Sequence, residues 1–387
     1  MKVLYFMNHV DQGGAALALY DLIFEIKKQP QITPVVITGK KNELNKMLSD
    51  LGVENYSASF KNFTSSYKEP AKLYKKILLI RYLIGKYLAI RQIEKKIDFS
   101  TVDIIHSNLN RIDIGAILAK KHGIPHVWHI REHADGSDFK LISIKDNPIS
   151  YMNSFESYYV YISHSVNRVW NNKGLSKTKE VVIYDGIREE LYTPLTNKKN
   201  SKLRMIFLGG YAKSKGQEQL IDALSAIPEN LKNKFEVYFY GNGDRKYINF
   251  LQMKINQNGL SDSMKLNPYK DDVWKSVPDF DIGLTCSSNE GFGRITVEYM
   301  MSGLCPIASN GGATPEIVKH GETGILYEVL NIEELKNSIL WALENRDAIA
   351  KMGLEAARYA NNHFTMREHA QNISVLYNQI LKEKKNG

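Results

Sequence analysis

Short apolar runs alternate with helical patterns along nearly the whole chain, and the alternation begins twice. In the first half, residues 3–7, 33–38, 103–106, 126–130, 158–163 and 180–184 read as strands, with helical spacing between them. Residues 185–203 then turn polar and irregular around Pro194 and the 197–202 run. The second half restarts the pattern with strands at 203–208, 235–240, 264–266, 281–285, 305–308 and 324–327, and closes with helical segments from about 331. Such alternation builds parallel sheets from βαβ units. The expected fold class is therefore α/β, with two doubly wound Rossmann-like domains facing each other across a cleft. The expected domain bounds are 1–194 and 195–365, with 366–387 as a final helix returning to the first domain. Ile373, Leu376, Tyr377 and Ile380 share one face of that helix. Ligands of doubly wound sheets bind beyond the carboxyl ends of the strands, so the loops there are where chemistry is sought.

Composition narrows the class. A chain of 387 residues with 43% hydrophobic and 24% charged residues reads as a soluble globular protein of two domains. No apolar run approaches the roughly 18 residues of a membrane span. The start reads as a first strand rather than a signal peptide, because its apolar stretch is short and no small-residue cleavage site follows. The two cysteines, Cys286 and Cys305, fall in apolar runs, which suggests buried thiols in a reducing, cytoplasmic compartment. No Cys/His spacing resembles a zinc site, and no metal is expected.

The formal charge of +9 is unevenly spread. Residues 68–98 hold nine basic side chains against three acidic ones, while Leu73, Ile77, Ile80, Leu83, Ile84, Tyr87 and Leu88 recur at helical spacing. Two readings fit this basic amphipathic helix. One is a core helix with a solvated lysine face; the other is a helix that adheres, peripherally, to an anionic membrane surface. Nucleic acid is not expected, since no helix-turn-helix, RNP or finger pattern accompanies the charge.

The densest chemical signal is Asn289-Glu290-Gly291-Phe292-Gly293-Arg294-Ile295-Thr296-Val297-Glu298. It joins an apolar strand to the start of a helix through a Gly-x-Gly turn. Backbone amides at a helix start attract an anion such as phosphate. Glu290, at the end of the strand, and Glu298, about two turns into the helix, add two acceptors for hydroxyl groups. A sugar attached to a diphosphate needs both features.

Other loops at strand ends fit the same ligand, and each also reads as plain turn chemistry. Gly13-Gly14 follows the first strand and allows close backbone approach to a phosphate or sugar, but the spacing is not the dinucleotide fingerprint. Lys215, in a loop after the strand at 203–208, either reaches a diphosphate as a point charge or is a solvated lysine. Gly241, in Gly241-Asn242-Gly243, and Tyr269 are candidate rims for a nucleoside. Trp128-His129-Ile130-Arg131-Glu132-His133 ends a strand. There His129 is suited to polarise a hydroxyl, Arg131 to stabilise phosphate charge and Glu132 to orient either, with His133 beside them; a surface salt-bridge cluster is the alternative. Glu316 sits in the first turn of the helix after Asn310-Gly311-Gly312. Asp279-Phe280-Asp281 matches the Asp-x-Asp pattern of metal-holding transferases but lies where a strand begins, away from the expected site.

Together these motifs resemble the retaining GT-B glycosyltransferases of family four over nearly the whole chain. The E-x7-E element is Glu290 to Glu298; beside it stand Gly13-Gly14, Lys215-Gly216, the Gly-Asn-Gly turn and Asn310-Gly311-Gly312-x-x-Pro315-Glu316. Tyr184-Asp185-Gly186-Ile187 is similar to the family's Tyr-Asn-Gly-Ile, with Asp in place of Asn. The resemblance implies transfer of a sugar, with retention, from a nucleoside-diphosphate sugar to a hydroxyl of a glycan or lipid-linked acceptor, in cell-surface polysaccharide biosynthesis. It implies no cofactor: the nucleotide sugar is substrate, held by the second domain, and the acceptor is held by the first. Glu298 would accept from the ribose and Glu290 would contact the transferred sugar. Gly291, Phe292, Gly293 and Arg294 would lie near the diphosphate or sugar, and Lys215, with Gly14 close by, would neutralise the leaving diphosphate. His129, Arg131, Glu132 and His133 fall on the acceptor side. Where the family commonly has arginine, five residues before that lysine, this chain has Gly210, and Arg294 or Arg131 is available to compensate. A nucleotide-sugar epimerase, a phosphorylase and a non-catalytic nucleotide- or sugar-binding module are the alternatives.

Overall fold

The computed structural model describes residues 1–8, 14–66, 72–133, 135–136, 139–145, 147–176, 179–192, 201–270, 273–275 and 277–386. Expectations placed on Gly13, Lys68, the 193–200 part of the linker and residues 271–272 lie outside these. Two compact units divide the chain: residues 1–186 with 366–387, and residues 187–365. The change of unit at Gly186-Ile187 falls earlier than the 194/195 boundary read from composition, and the last helix groups with the first unit.

Unit 1 holds β1 (Lys2–Met7), α1 (Gly14–Lys27), β2 (Thr33–Thr38), α2 (Glu43–Asp50), β3 (Glu54–Ser57), β4 (Thr64–Ser66), α3 (Lys72–Glu94), β5 (Ile104–Ser107), α4 (Ile114–His122), β6 (His126–Ile130), β7 (Asp135–Gly136), β8 (Phe139–Ser143), α5 (Pro148–Asn153), β9 (Ser157–Tyr161), α6 (His164–Asn172) and β10 (Glu180–Val182). Its main sheet runs in the order β10-β9-β6-β5-β1-β2-β3, with every pair parallel. The chain begins mid-sheet, builds outward one way, then jumps to β5 and builds the other way. Helices covering both faces demand strands that are apolar along their length, and β5 and β6 are buried at every residue. Leu19, Leu22, Ile23 and Ile26 of α1 share the core with Ala370, Ile373, Tyr377 and Ile380 of the last helix, as that helix's apolar face predicts. Two features escape the strand pattern: the polar edge strand β3 and a small antiparallel sheet of β4, β8 and β7.

Unit 2 holds β11 (Leu203–Leu208), α7 (Gln217–Ser225), β12 (Phe235–Gly241), α8 (Arg245–Gln257), β13 (Met264–Pro268), β14 (Ile282–Thr285), α9 (Arg294–Met301), β15 (Cys305–Ser309), α10 (Thr314–Ile317), β16 (Ile325–Tyr327), α11 (Ile332–Glu344) and α12 (Arg346–His363); α13 (Met366–Asn386) is the helix assigned to unit 1. Its sheet order is β13-β12-β11-β14-β15-β16, again parallel throughout. Cys286 and Cys305 are free and buried, and burial pushes both thiols up to about 12. Among the described residues no helix is long and apolar enough to cross a membrane.

Candidate active site

In unit 2 the strand order reverses between β11, which starts the sheet, and β14. In doubly wound sheets such a switch point is where ligands bind, beyond the strands' carboxyl ends. The loops leaving β11 and β14 carry Lys215 and Glu290 to it, and Lys215 Nζ meets Glu290 Oε1 at 2.8 Å. Two glycines set this geometry. Gly216 has φ of +78° and packs so closely that a Cβ would lie 2.3 Å from the Cys286 carbonyl oxygen. The lysine loop thus rests on the end of β14. Gly312 has φ of +62°, and a Cβ there would lie 2.3 Å from the Glu290 carbonyl oxygen. It forms a parallel bridge with Glu290, and the next amide, of Ala313, donates to the Glu290 carbonyl at 2.8 Å. The Asn310-Gly311-Gly312 loop therefore holds Glu290 through its backbone and leaves the carboxylate to face Lys215.

The Gly-x-Gly turn ends on Gly293, which is left-handed and precedes α9. Phe292 is buried and meets Phe364 edge-on at 5.8 Å, which anchors the turn. Glu298 is the fifth residue of α9, so it sits in the second turn, nearer the helix start than the two full turns read from spacing. It is buried. Thr285 and Thr296 hydroxyls, 3.0 Å apart, tie β14 to α9. On the other side of β11, Gly241 ends β12, and the Tyr269 amide donates to Asn242 Oδ1 at 3.4 Å. Tyr269 itself is 53% exposed. Arg294 opens α9 half-buried. Lys215, Glu290 and Glu298 all belong to this one unit. Asp281 lies at the opposite, amino end of β14. Its Oδ2 accepts from the Arg204 amide at 2.9 Å and from Arg346 Nη2 at 3.0 Å, so the Asp-x-Asp match is an ion pair of the scaffold.

Unit 1 places Gly14 at the exposed start of α1 and gathers a buried polar cluster at the end of β6. His129 is 0% exposed; its Nδ1 lies 3.2 Å from His106 Nε2 and 3.5 Å from Arg131 Nη2. Arg131 Nη1 meets Asp185 Oδ2 at 3.0 Å, and Arg131 Nε donates to Asn108 Oδ1 at 3.0 Å. His106 Nδ1 lies 2.6 Å from Tyr377 Oη, and His369 Nδ1 lies 2.7 Å from the Tyr184 carbonyl. Burial above all, then the positive charge of Arg131 and the neighbouring histidines, holds His129 and His106 well below the usual imidazole range. Both rings are therefore neutral near pH 7.

These contacts add partners to the residues expected on the acceptor side. His129 and Arg131 are buried, 0% and 8% exposed, among the unit 1 partners named above. Glu132 turns away from both. It takes Arg111 in a two-pronged pair, at 2.7 and 3.0 Å, and its carbonyl accepts from Trp170. His133 Nε2 lies 2.9 Å from Ser165 Oγ. The partners the sequence reading missed, His106 and Asn108, Asp185, and His369, come from three separate stretches. The available signal was His106-Ser107-Asn108, polar residues ending an otherwise apolar strand.

Comparison with known proteins finds similar chains. Residues 190–359 match the family described as glycosyl transferases group 1. An uncharacterised glycosyltransferase of Methanocaldococcus jannaschii is 28% identical over 313 residues, 79% of this chain and 83% of that protein. A capsular polysaccharide biosynthesis glycosyltransferase of Staphylococcus aureus is 21% identical over 69% of each. The crystal structure of Anabaena HepE in complex with UDP and glucose superposes with a TM-score of 0.78 at 21% identity, covering 98% of this chain and 100% of that one.

Proposed function

We propose that this chain, whose residues 190–359 match the glycosyl transferases group 1 family and which has the GT-B fold, transfers a sugar with retention from a nucleoside-diphosphate sugar to a hydroxyl of a glycan or lipid-linked acceptor, in cell-surface polysaccharide biosynthesis. One observation carries the reading: Lys215 and Glu290 meet at the switch point of unit 2, beside the start of α9 and its Glu298. An ammonium, helix-start amides and two carboxylates around one crevice fit a diphosphate flanked by two polyols. That Anabaena HepE is seen with UDP and glucose supports a nucleotide sugar, and the capsular relative supports a polysaccharide product.

In this reading unit 2 holds the donor. The ribose hydroxyls donate to Glu298, Gly241 and Tyr269 border the base, and the sugar's hydroxyls donate to Glu290. Lys215 exchanges Glu290 for the diphosphate, and Arg294 with the α9 amides shares the charge that develops as the bond between the anomeric carbon and phosphate oxygen breaks. The acceptor oxygen bonds to the anomeric carbon on the face the phosphate leaves. Its proton passes to a phosphate oxygen, so neither a covalent sugar–enzyme bond nor a catalytic metal is part of the scheme. Unit 1 binds the acceptor, with His129 and Arg131 as positioning residues beneath it.

Calorimetry with UDP and GDP, followed by incubation with each sugar nucleotide and a polyol acceptor, tests the reading, with the product's anomeric configuration read by NMR. A retained glycosidic linkage supports it. Nucleoside diphosphate released without an acceptor points instead to an epimerase, a requirement for inorganic phosphate to a phosphorylase, and binding without turnover to a binding module. An inverted linkage removes the stereochemical part alone.

A further inference from the structure

Helix α3 turns its aliphatic stripe outward. Its inward face carries Tyr82, Ala89 and Ile93, all buried, and it is pinned by a polar anchor. The Tyr82 hydroxyl donates to the buried Asp113 carboxylate, the Tyr151 hydroxyl donates to the same oxygen at 2.8 Å, and Lys86 Nζ lies 3.7 Å away. With that face fixed, the aliphatic stripe points outward: Ile77, Ile80, Ile84 and Leu88 are 46%, 58%, 57% and 53% exposed. Tyr74, Leu83 and Tyr87 extend the patch. At 1.5 Å per residue the stripe is roughly 16 Å long. Single exposed apolar residues are ordinary, whereas a contiguous patch of this kind marks an interaction surface.

The charge around the stripe selects the partner. Residues 72–93 contain six basic side chains and no acidic one. Lys76, Arg81 and Arg91 are exposed, and Arg91 stacks over the exposed Tyr87 ring at 5.3 Å. The first acidic residue, Glu94, is already paired with Lys121 and His122, at 2.5 and 2.9 Å. A second copy docking symmetrically would bring two basic rims together, because a two-fold interface apposes the same patch on each subunit. An anionic lipid surface satisfies both chemistries, taking aliphatic side chains at the acyl boundary and ammonium and guanidinium groups among the headgroup phosphates. We infer that α3 is an interfacial membrane-docking helix, lying in the plane of an anionic bilayer with Ile77, Ile80, Ile84 and Leu88 inserted. The inference does not rest on the transferase reading.

The test is co-sedimentation of the full chain with vesicles of phosphatidylcholine alone or mixed with about one-third phosphatidylglycerol, at low and high salt. Partition into anionic vesicles only, weakened by salt, is expected. The double change Ile80→Ser with Ile84→Ser should lower partition by at least tenfold while leaving the melting temperature unchanged, since both side chains are already in water. Each basic residue near the surface is worth a factor of roughly five, so Lys76→Gln, Arg81→Gln and Arg91→Gln together should cost about a hundredfold. Equal partition into neutral and anionic vesicles, or no loss in either variant, overturns the inference. So does a dimer in solution that the serine variant converts to monomer, because the face then belongs to a second copy.

Discussion

Lys215 Nζ lies 2.8 Å from Glu290 Oε1 across a separation of seventy-five residues, each delivered by the loop that leaves one of the two strands flanking the switch point of unit 2. The lysine side chain is 40% exposed, and an ion pair so open to water contributes under about 1 kcal/mol to folding. Lys215→Met should therefore shift the melting temperature by no more than a few degrees. It should weaken UDP binding about 10- to 100-fold, the loss of a charge-assisted bond of roughly 1.5–3 kcal/mol, and leave uridine binding nearly unchanged. Calorimetry with the two ligands decides it: equal losses for UDP and uridine would separate Lys215 from the diphosphate.

Glu298 and Glu290 should split by kinetic parameter. Glu298→Gln keeps the shape and removes the charge that two ribose hydroxyls are proposed to meet, so the nucleotide's Kd should rise roughly tenfold or more. Glu290→Gln should lower kcat more than it changes nucleotide Kd, since its proposed partner is the transferred sugar. Isothermal titration beside initial-rate kinetics gives both numbers. The opposite pattern would exchange the two assignments.

The parts of the fold legible in the sequence were those in which one physical rule dominates. Strands sandwiched between helix layers must be apolar throughout, and the runs at 33–38, 126–130 and 203–208 coincide with β2, β6 and β11 residue for residue. The edge strand β3, Glu-Asn-Tyr-Ser, obeys no such rule, because an edge is only half covered. In the candidate site, the loop positions of Glu290 and Lys215 were readable because glycine turns advertise a strand end. The 131–185 pairing was not readable, because spacing says nothing of which distant residue fills a buried arginine's need for a counter-ion. In α3 the apolar period was visible but its direction was not. A helix pattern fixes which residues share a face; the Tyr82–Asp113 anchor decides which face turns inward.

Acid should loosen unit 1 well before carboxylates titrate. His106, His126 and His129 are buried and held below the ordinary imidazole value, His126 down to about 3. In the unfolded chain each titrates near 6.5. Below that pH the unfolded state binds protons the folded state refuses, so stability is complete above about 6.5 and falls as the pH drops. The slope reaches at most about 1.4 kcal/mol per pH unit for each histidine. Asp113 works in the opposite sense, since burial raises its carboxyl, but it is one group against three. Urea unfolding at pH 7.5, 6.5 and 5.5 should show midpoints that fall only below the middle value, and His126→Gln should flatten that fall. A midpoint independent of pH over this range would mean the rings are charged or exposed.

Asp185 stands where the resembled family has Asn, and its partner is Arg131 at 3.0 Å, with the two side chains 3% and 4% exposed. A guanidinium at that depth cannot be rehydrated, so its charge must be met by protein. Asp185→Asn keeps the shape and deletes the counter-charge. Removing one member of a buried pair costs about 3–5 kcal/mol, and unit 1 should lose stability on that scale. Arg131→Met combined with Asp185→Leu should be milder than either single change, because no charge is left stranded. The checks are urea midpoints for the three variants at pH 7.5, with UDP affinity measured alongside. UDP binding should be unchanged, since Lys215, Arg294 and Glu298, which are proposed to hold the nucleotide, lie in unit 2. If Asp185→Asn costs less than about 1 kcal/mol, Arg131 is reached by water, and its proposed place as a buried support of unit 1 is lost.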